Sequence, residues 1–368
     1  MLLVGGGLMA RSFVGLSRVD TGIRPDGILT FRVTLSGSKH DSASRRAEFF
    51  DALLDRLRLI PGVAGAAAVS PLPMSREYSG GGFIIEGRPT PANWRDMAAQ
   101  YWQATPRYFR TMGIPVVLGR EFENSDGPAG PVVLVNNALA RRFFPGENPV
   151  GHRIVRLGKI VGVVGDIRHK GPASEPDPQI YYPFALRPPR SLSVAVGTTG
   201  NPLESASLVR QQVRELDGDL PIDRLKPMAD VVSESISEMR LVTTVVGGFA
   251  AFALVLAAIG LYGMIAYSVS RRQHEIGIRI ALGASRRHVL ALVLSRGALL
   301  SAARIAIGIP AALAASRLMA SVLYGIGPHD LTVFTAVPAL LLLVALLASY
   351  LPARRAADVD PLASLRAD

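Results

Sequence analysis

Two stretches of this chain stay uncharged for longer than any others: Leu241 to Ser270 and Leu331 to Ala353 contain no Asp, Glu, Lys or Arg. About 20 apolar residues in a helix cross a hydrocarbon core of ~30 Å, so both predict transmembrane helices. A third apolar run, from about Gly297 to Tyr324, is interrupted by Arg304, Pro310 and Arg317. An arginine at the bilayer centre costs about 2.5–3.5 kcal/mol on insertion scales. The two arginines lie thirteen residues apart, roughly 20 Å of helix, so snorkelling in opposite directions brings both near an interface. The alternative is that one of them lines a pathway. The pattern therefore places spans at about 241–269, 297–323 and 331–351.

The region before them alternates between other periods. From Ser44 to Leu59, Phe49, Leu53, Leu54 and Leu57 recur at helical spacing among charged residues, predicting an amphipathic helix that stops at Pro61-Gly62. Val63–Val69, Gly82–Glu86, Pro131–Val135, Lys159–Val164 and Ser191–Val196 are short apolar or small-residue runs bounded by Gly and Pro, which predict strands. Asn137–Phe144 and Pro202–Leu216 predict further helices, and Met228–Arg240 predicts a helical stalk running straight into the span at Leu241. The aromatic group Tyr101, Trp102, Tyr108 and Phe109 is expected in the core of this α+β region.

Charge fixes the expected orientation. The chain is basic, with 40 Lys and Arg against 29 Asp and Glu, and nucleic acid would be one explanation. The excess is local, however. Residues 270–296 carry Arg271, Arg272, Arg279, Arg286, Arg287 and Arg296 against Glu275 alone, whereas residues 20–240 hold 27 basic and 24 acidic side chains. A positive loop between spans marks the cytoplasmic side, so 270–296 is placed inside and residues 20–240 outside. The loop Gly325 to Asp330 lacks Lys and Arg, as an outside loop should, and the last span returns to a cytoplasmic tail with Arg354 and Arg355. Nucleic acid is thereby excluded as a partner, and anionic lipid is expected to meet Arg271, Arg272, Arg286 and Arg287.

Candidate chemistry is sparse. The six histidines are scattered without metal-ligand spacing and there is no cysteine, so no metal site and no cofactor are expected in this chain. Gly162-Val163-Val164-Gly165 is followed by Asp166-Ile167-Arg168, not by the Gly-Lys-Ser/Thr that a phosphate loop requires. Glu121 and Glu123 beside Asp126 read as a solvated turn in preference to an acid–base pair, and no nucleophile-plus-base set accompanies them. The chain is not expected to be an enzyme.

Several segments in order resemble one family. Arg11 to Val33 is similar to the exit of a first transmembrane helix in MacB-type, FtsX-like permeases of ABC transporters. Pro61-Gly62-Val63, Val69 to Pro73, Tyr108 to Pro115, Asn136 to Pro145 with Gly151, Val161 to Asp166 and Leu351 to Ala357 continue the likeness along essentially the whole chain. The nearest resemblance is to the second half of the tandem, duplicated permeases of acidobacteria and relatives. It implies an α-helical transmembrane bundle, three full spans plus a partial first span, with a large α+β extracytoplasmic domain. The implied domains are a partial first helix and its exit (1–19), a MacB-like periplasmic core with stalk (20–240), an FtsX-like transmembrane domain (241–353) and a cytoplasmic tail (354–368). Met1 to Ala10 is about 15 Å of helix, short of a span and without the positive start of a signal peptide. A longer first span, from a preceding homologous half or an earlier start, is therefore expected. Arg304 departs from the small or apolar residue the family pattern has there.

The segment His274 to Ser285, HEIGIRIALGAS, sits inside the positive loop. As a helix it sets Glu275 and Arg279 at i,i+4, pairs Ile276 with Ile280, and aligns Gly277, Ala281 and Ala284 in a stripe without bulk. Gly283 suits a helix end and Ser285 a following helix start. Arg286, Arg287 and His288 in a first helical turn oppose the macrodipole, so anionic headgroups or an acidic protein surface must favour them. Alone, these residues read first as an amphipathic interfacial turn that merely fixes topology. The resemblance implies more: Glu275, Ile276, Gly277, Arg279, Ala281, Leu282, Gly283 and Ala284 match the family's element that docks on the ATP-binding subunit. Implied with it are a separate ABC ATPase, a second permease half or homodimer partner, a periplasmic partner, and residence in the bacterial inner membrane with the large domain in the periplasm. Export of drugs or peptides, lipoprotein handling and regulation of envelope enzymes all remain open. So does a membrane-anchored scaffold or sensor that has the permease fold and no ATPase.

Overall fold

The computed structural model describes all residues except 76, 90–92, 272–274, 276–277, 279–284, 319–326, 328 and 358–368. Contacts divide the chain into two units, Val19–Ser237 and a helical unit of Met1–Arg18 with Glu238–Asp368.

The first unit is built on one sheet of strands β1 (Ile28–Thr34), β2 (Val63–Ser70), β3 (Gly80–Gly82), β4 (Ala98–Ala104), β5 (Val116–Gly119), β6 (Val132–Asn136), β7 (Arg153–Ile154), β8 (Gly158–Val164), β9 (Gln179–Pro183), β10 (Ser191–Thr198) and β11 (Ile222–Pro227). The order is β11-β1-β10-β2-β4-β9-β6-β8-β5, with β3 on β4 and β7 on β8. Pairs β4–β9 and β6–β8 are parallel. The middle of the sheet is thin: β2 meets β4 only through Val69↔Ala104 and Ser70↔Gln103. Thr105 strengthens that joint, because its Oγ1 accepts the Ala68 N–H at 2.7 Å while its own N–H donates to the Ala68 carbonyl at 2.9 Å.

Helices α2 (Ala43–Arg58) and α5 (Ala206–Leu216) cover one half-sheet, and Phe50, Leu53, Leu57, Val209 and Val213 bury against Phe31, Val33 and Val194. The Ser42 hydroxyl caps α2 by accepting from the Arg45 N–H at 3.3 Å. Helix α4 (Asn137–Phe143) covers the other half through Leu139 against Val133, Val135 and Ile160. Short α3 (Tyr108–Thr111) and α6 (Met228–Ser235) enclose a third core around Trp102, Phe109, Tyr181 and Met228. Trp102, Tyr108 and Phe109 are buried as expected, whereas Tyr101 is only half-buried, its hydroxyl donating to the Gly82 carbonyl at 2.8 Å.

Three expectations need correction. Gly82 to Glu86 is not a strand: pairing ends at Gly82, and Ile85 makes one isolated bridge to Ile154. The stalk is not continuous, since α6 ends at Ser235 and α7 begins at Ser237, with Ile236 at φ −108°, ψ 7°. The turn at 121–126 is not simply solvated. Asp126 is buried and held by both Arg120 Nη atoms at 2.7 and 2.8 Å.

The second unit comprises α1 (Leu2–Ser17), α7 (Ser237–Ser270), α8 (Arg286–Leu318) and α9 (Leu331–Ala357). Helices α7 and α9 are long and apolar enough to cross a membrane. Helix α8 has comparable length but includes Arg304, Pro310 and Arg317, and residues 319–323 of the third expected span lie outside the described residues. Val4 and Leu8 of α1 pack with Ala312 and Val333. Small residues allow that approach: a Cβ on Gly7 would stand 3.0 Å from Val333 Cγ1.

Candidate functional site

The sequence points to the loop between α7 and α8. Helix α7 ends at Ser270 and α8 begins at Arg286, directly after Ser285, whose carbonyl accepts the His288 N–H at 2.9 Å. Glu275 is helical and exposed, and so is Ile278. Of the proposed coupling residues, Ile276, Gly277, Arg279, Ala281, Leu282, Gly283 and Ala284 lie outside the described residues, as does Arg272.

What the structure describes is the frame on which this loop is mounted. Leu261 and Ile265 of α7 bury against Ala345 and Ala353 of α9, with Leu290 and Leu294 of α8 packed beside them. Polar contacts reinforce the same ends. Arg355 donates to Tyr262 Oη at 3.1 Å, and the Arg271 guanidinium lies 5.6 Å from the Tyr267 ring centroid. Cation–π contact of this kind is worth about 0.5–1 kcal/mol where exposed. Arg271 and Arg287 are exposed. Helix α8 begins at Arg286, so its first turn carries the basic residues predicted from sequence.

Sequence reasoning missed Tyr262 and Tyr267. Their signal was present: aromatic residues with polar tips near the end of a long apolar helix mark a membrane–water interface. Arg304 Nη2 lies 3.8 Å from Met264 Sδ. Among the described residues, no cluster of His, Asp or Glu has metal-holding geometry.

The comparisons with known proteins align with this division. A model for the MacB-like periplasmic core domain matches residues 13–216, and one for the FtsX-like permease C-terminal region matches residues 247–361. The chain is 27% identical over 293 residues to the macrolide export ATP-binding/permease protein MacB of Marinobacter nauticus, covering 74% of this chain and 44% of that relative. It is 27% identical over 274 residues to the pyoverdine export ATP-binding/permease protein PvdT of Pseudomonas entomophila, covering 69% and 41%. This chain thus spans less than half the length of those relatives. The periplasmic region of MacB from Actinobacillus actinomycetemcomitans aligns with 59% of this chain and 94% of its own, at 17% identity and a TM-score of 0.38. With the periplasmic-core match covering more than half of its residues, the chain belongs to the MacB-type, FtsX-like permease family.

Proposed function

We propose that this chain is the permease part of a MacB-type ABC transporter that works by mechanotransmission. ATP binding and hydrolysis on a separate subunit move the loop 270–296, and α7 carries that movement to the sheet domain. One observation carries the reading: a single uninterrupted 34-residue helix, α7, joins the last residues of the sheet domain to the basic loop. At ~1.5 Å per residue it is roughly 50 Å long, more than a bilayer core requires. The thin β2–β4 joint supports the same reading, because a sheet held by two residue pairs at its middle bends there most easily.

The lone arginines of α8 are accommodated in a third span by snorkelling, and α1 belongs to a first span. The loop then lies in the cytoplasm and the sheet domain in the periplasm. Glu275, Gly277, Arg279, Ala281, Gly283 and Ala284 dock on the ATPase, with Ile276 and Leu282 between them, while Arg271, Arg272, Arg286 and Arg287 meet acidic headgroups. A second permease copy or half is part of the assembly. Val245, Phe249, Phe252, Leu256 and Ile259 recur every three and four residues along α7 and are all exposed, the spacing of a helix–helix seam. Cargo in this reading is exported or handled in the envelope.

Mild crosslinking of native membranes followed by affinity purification tests it. Co-purification of an ABC ATP-binding subunit whose ATPase rate depends on this chain is expected. Reproducible isolation without such a subunit would favour a membrane-anchored scaffold or sensor.

A further inference from the structure

Helices α1, α7, α8 and α9 of the second unit enclose a slot of about 260 Å³. Its walls are apolar, with Leu254 and Leu261 from α7, Ile305 and Ile309 from α8, and Phe334 and Leu341 from α9. Among the described residues that line it, Ser301 and Arg304 carry the polar side chains. The slot has a direction. At one end Val4 and Ala312 are buried against Val333, and at the other stands Arg304, exposed. A helical side chain leans toward the N-terminus of its own helix. Arg304 accordingly reaches Met264, three residues nearer the loop 270–296 than Leu261. Arg304 and Ala312 are eight residues apart, about 12 Å of helix, so the slot averages roughly 20 Å² in cross-section, against roughly 80 Å² for a helix 10 Å across. A hydrocarbon chain fits this space and a further helix does not.

The guanidinium at the mouth has no counter-charge on these helices. Helices α1, α8 and α9 contain no Asp or Glu, and α7 has only Glu238, in its first turn, 26 residues before Met264. A charge at membrane depth is costly unless it meets a partner, a cavity or an interface. Snorkelling carries Arg304 toward the loop end of the slot and leaves it needing an anion there. The order of chemistry is therefore an unpaired cation at the mouth and an apolar channel behind it, closed at the far end. That is the negative image of an acidic amphiphile.

We propose that the slot holds one acyl chain of an acidic phospholipid, with the phosphate on Arg304 and the chain running toward Ala312. The inference rests on the topology proposed above, which puts the loop 270–296 in the cytoplasm and so makes the donor the cytoplasmic leaflet, where acidic lipids are found. Head and tail then keep the orientation they have in that leaflet, and the second chain of the lipid stays in the bilayer. A phosphodiester suits the site better than a free fatty acid does. It stays charged when partly desolvated, whereas burial favours the neutral form of a carboxyl group.

The test offers phosphatidylglycerol, phosphatidylcholine or oleate to the full-length chain, purified and delipidated in mild detergent, and counts retained lipid by native mass spectrometry. Wild type should retain about one phosphatidylglycerol per chain and several-fold less of the other two. Arg304→Gln should lose most of this retention, and Arg304→Lys, which keeps the charge, should restore it. Gly308→Leu keeps Arg304 and fills the slot: a Cβ there meets nothing within 4 Å, and leucine is the better helix former. It should lose retention as Arg304→Gln does. Arg317→Gln removes the other arginine of α8, which does not line the slot, and should bind as wild type. Equal retention in wild type and Arg304→Gln would overturn the head contact, and full retention in Gly308→Leu would overturn the slot. Preference for oleate would overturn the proposal by giving the slot another occupant. The topology is read separately, by labelling Ser285→Cys with an impermeant thiol reagent in intact spheroplasts. Labelling there would overturn the topology and the leaflet with it, while protection together with unchanged lipid retention in the variants would overturn the slot alone.

Discussion

Asp330 serves Arg11 and a helix terminus with the same oxygen: its Oδ1 accepts from Arg11 Nη1 at 2.5 Å and from the Val333 N–H at 3.1 Å. The first bond ties the middle of α1 to the segment before α9, and the second satisfies one of the free N–H groups of α9. The two contributions separate by mutation. Asp330→Asn keeps a capping oxygen and loses the ion pair, which is worth less than about 1 kcal/mol where Arg11 is exposed. Asp330→Ala loses both, and an absent cap costs about 0.5–2 kcal/mol. Thermal unfolding of the detergent-solubilised chain should rank Asp330→Ala below Asp330→Asn, with Arg11→Gln equal to the latter. Equal loss in both Asp330 variants would remove the capping role.

How much of this was legible in the sequence follows from what each element depends on. The apolar runs of α7 and α9 were readable because a span needs only length without charge, and the amphipathic α2 because its buried face follows helical periodicity. So was the basic start of α8. Strands β4 and β9 were not: Gln100, Gln103 and Gln179 break the alternation, and their pairing with each other is parallel and far apart in sequence. Strand β11, Ile222 to Pro227, reads as a loop because an edge strand tolerates Asp223, Arg224 and Lys226. The break at Ile236 was equally hidden, since Met228 to Arg240 contains neither Gly nor Pro. At the basic loop 270–296 the sequence supplied the residues, and the structure added the Tyr262–Arg355 bond beside it, a contact 93 positions apart that no local pattern contains.

Arg120 and Asp126 give a second prediction. The bidentate hydrogen bond from Arg120 holds the Asp126 carboxyl below the ordinary carboxylate range; burial opposes it, and the Glu123 N–H at 2.8 Å adds to it. Because the folded-state pKa is depressed, the stabilisation is full above the unfolded value of about 3.9 and is lost as pH falls through the folded value. Arg120→Ala leaves a buried carboxylate and should cost about 1–3 kcal/mol at neutral pH. That loss should shrink at pH 3 as Asp126 is protonated. Resistance to limited proteolysis across this pH range measures it, and a loss independent of pH would refute the ionic account.

His169 behaves oppositely in kind. Its ring stacks on Trp102 with centroids 3.5 Å apart, and its Nε2–H donates to Tyr181 Oη at 3.0 Å, which in turn donates to Gln179 Oε1 at 2.7 Å. Nδ1 is buried without a hydrogen bond, and burial pushes the imidazole well below its usual range. A proton on Nδ1 would have no acceptor, so the folded state holds the neutral ring. The unfolded chain takes up the proton near pH 6.5, so stability is full above that value and falls below it by at most about 1.4 kcal/mol per pH unit. In a Trp94→Phe background, Trp102 fluorescence should follow acid unfolding at a higher pH with His169 present than in His169→Gln. Coincident midpoints would show that another group sets the acid limit.

The last prediction concerns the segment proposed to dock on the ATP-binding subunit. If Gly277, Ala281 and Ala284 form a face for close approach, Gly277→Leu should block the partner through bulk. Leucine is the better helix former by about 0.5–1 kcal/mol, so an isolated helix would be strengthened and unfolding would not explain a defect. Arg279→Glu changes the sign presented to the partner and places a second negative charge four residues from Glu275, a spacing at which like charges repel. Both variants should retain wild-type abundance in the membrane, because neither position belongs to the apolar runs of the sequence, and both should lose most crosslinking to a co-expressed ATP-binding subunit and most stimulation of its ATPase. Arg271→Gln is the comparison: its guanidinium already lies over Tyr267, so it should alter membrane seating more than ATPase coupling. Wild-type stimulation in Gly277→Leu and Arg279→Glu at wild-type abundance would remove the docking role and leave this segment as an interfacial turn whose charges fix topology.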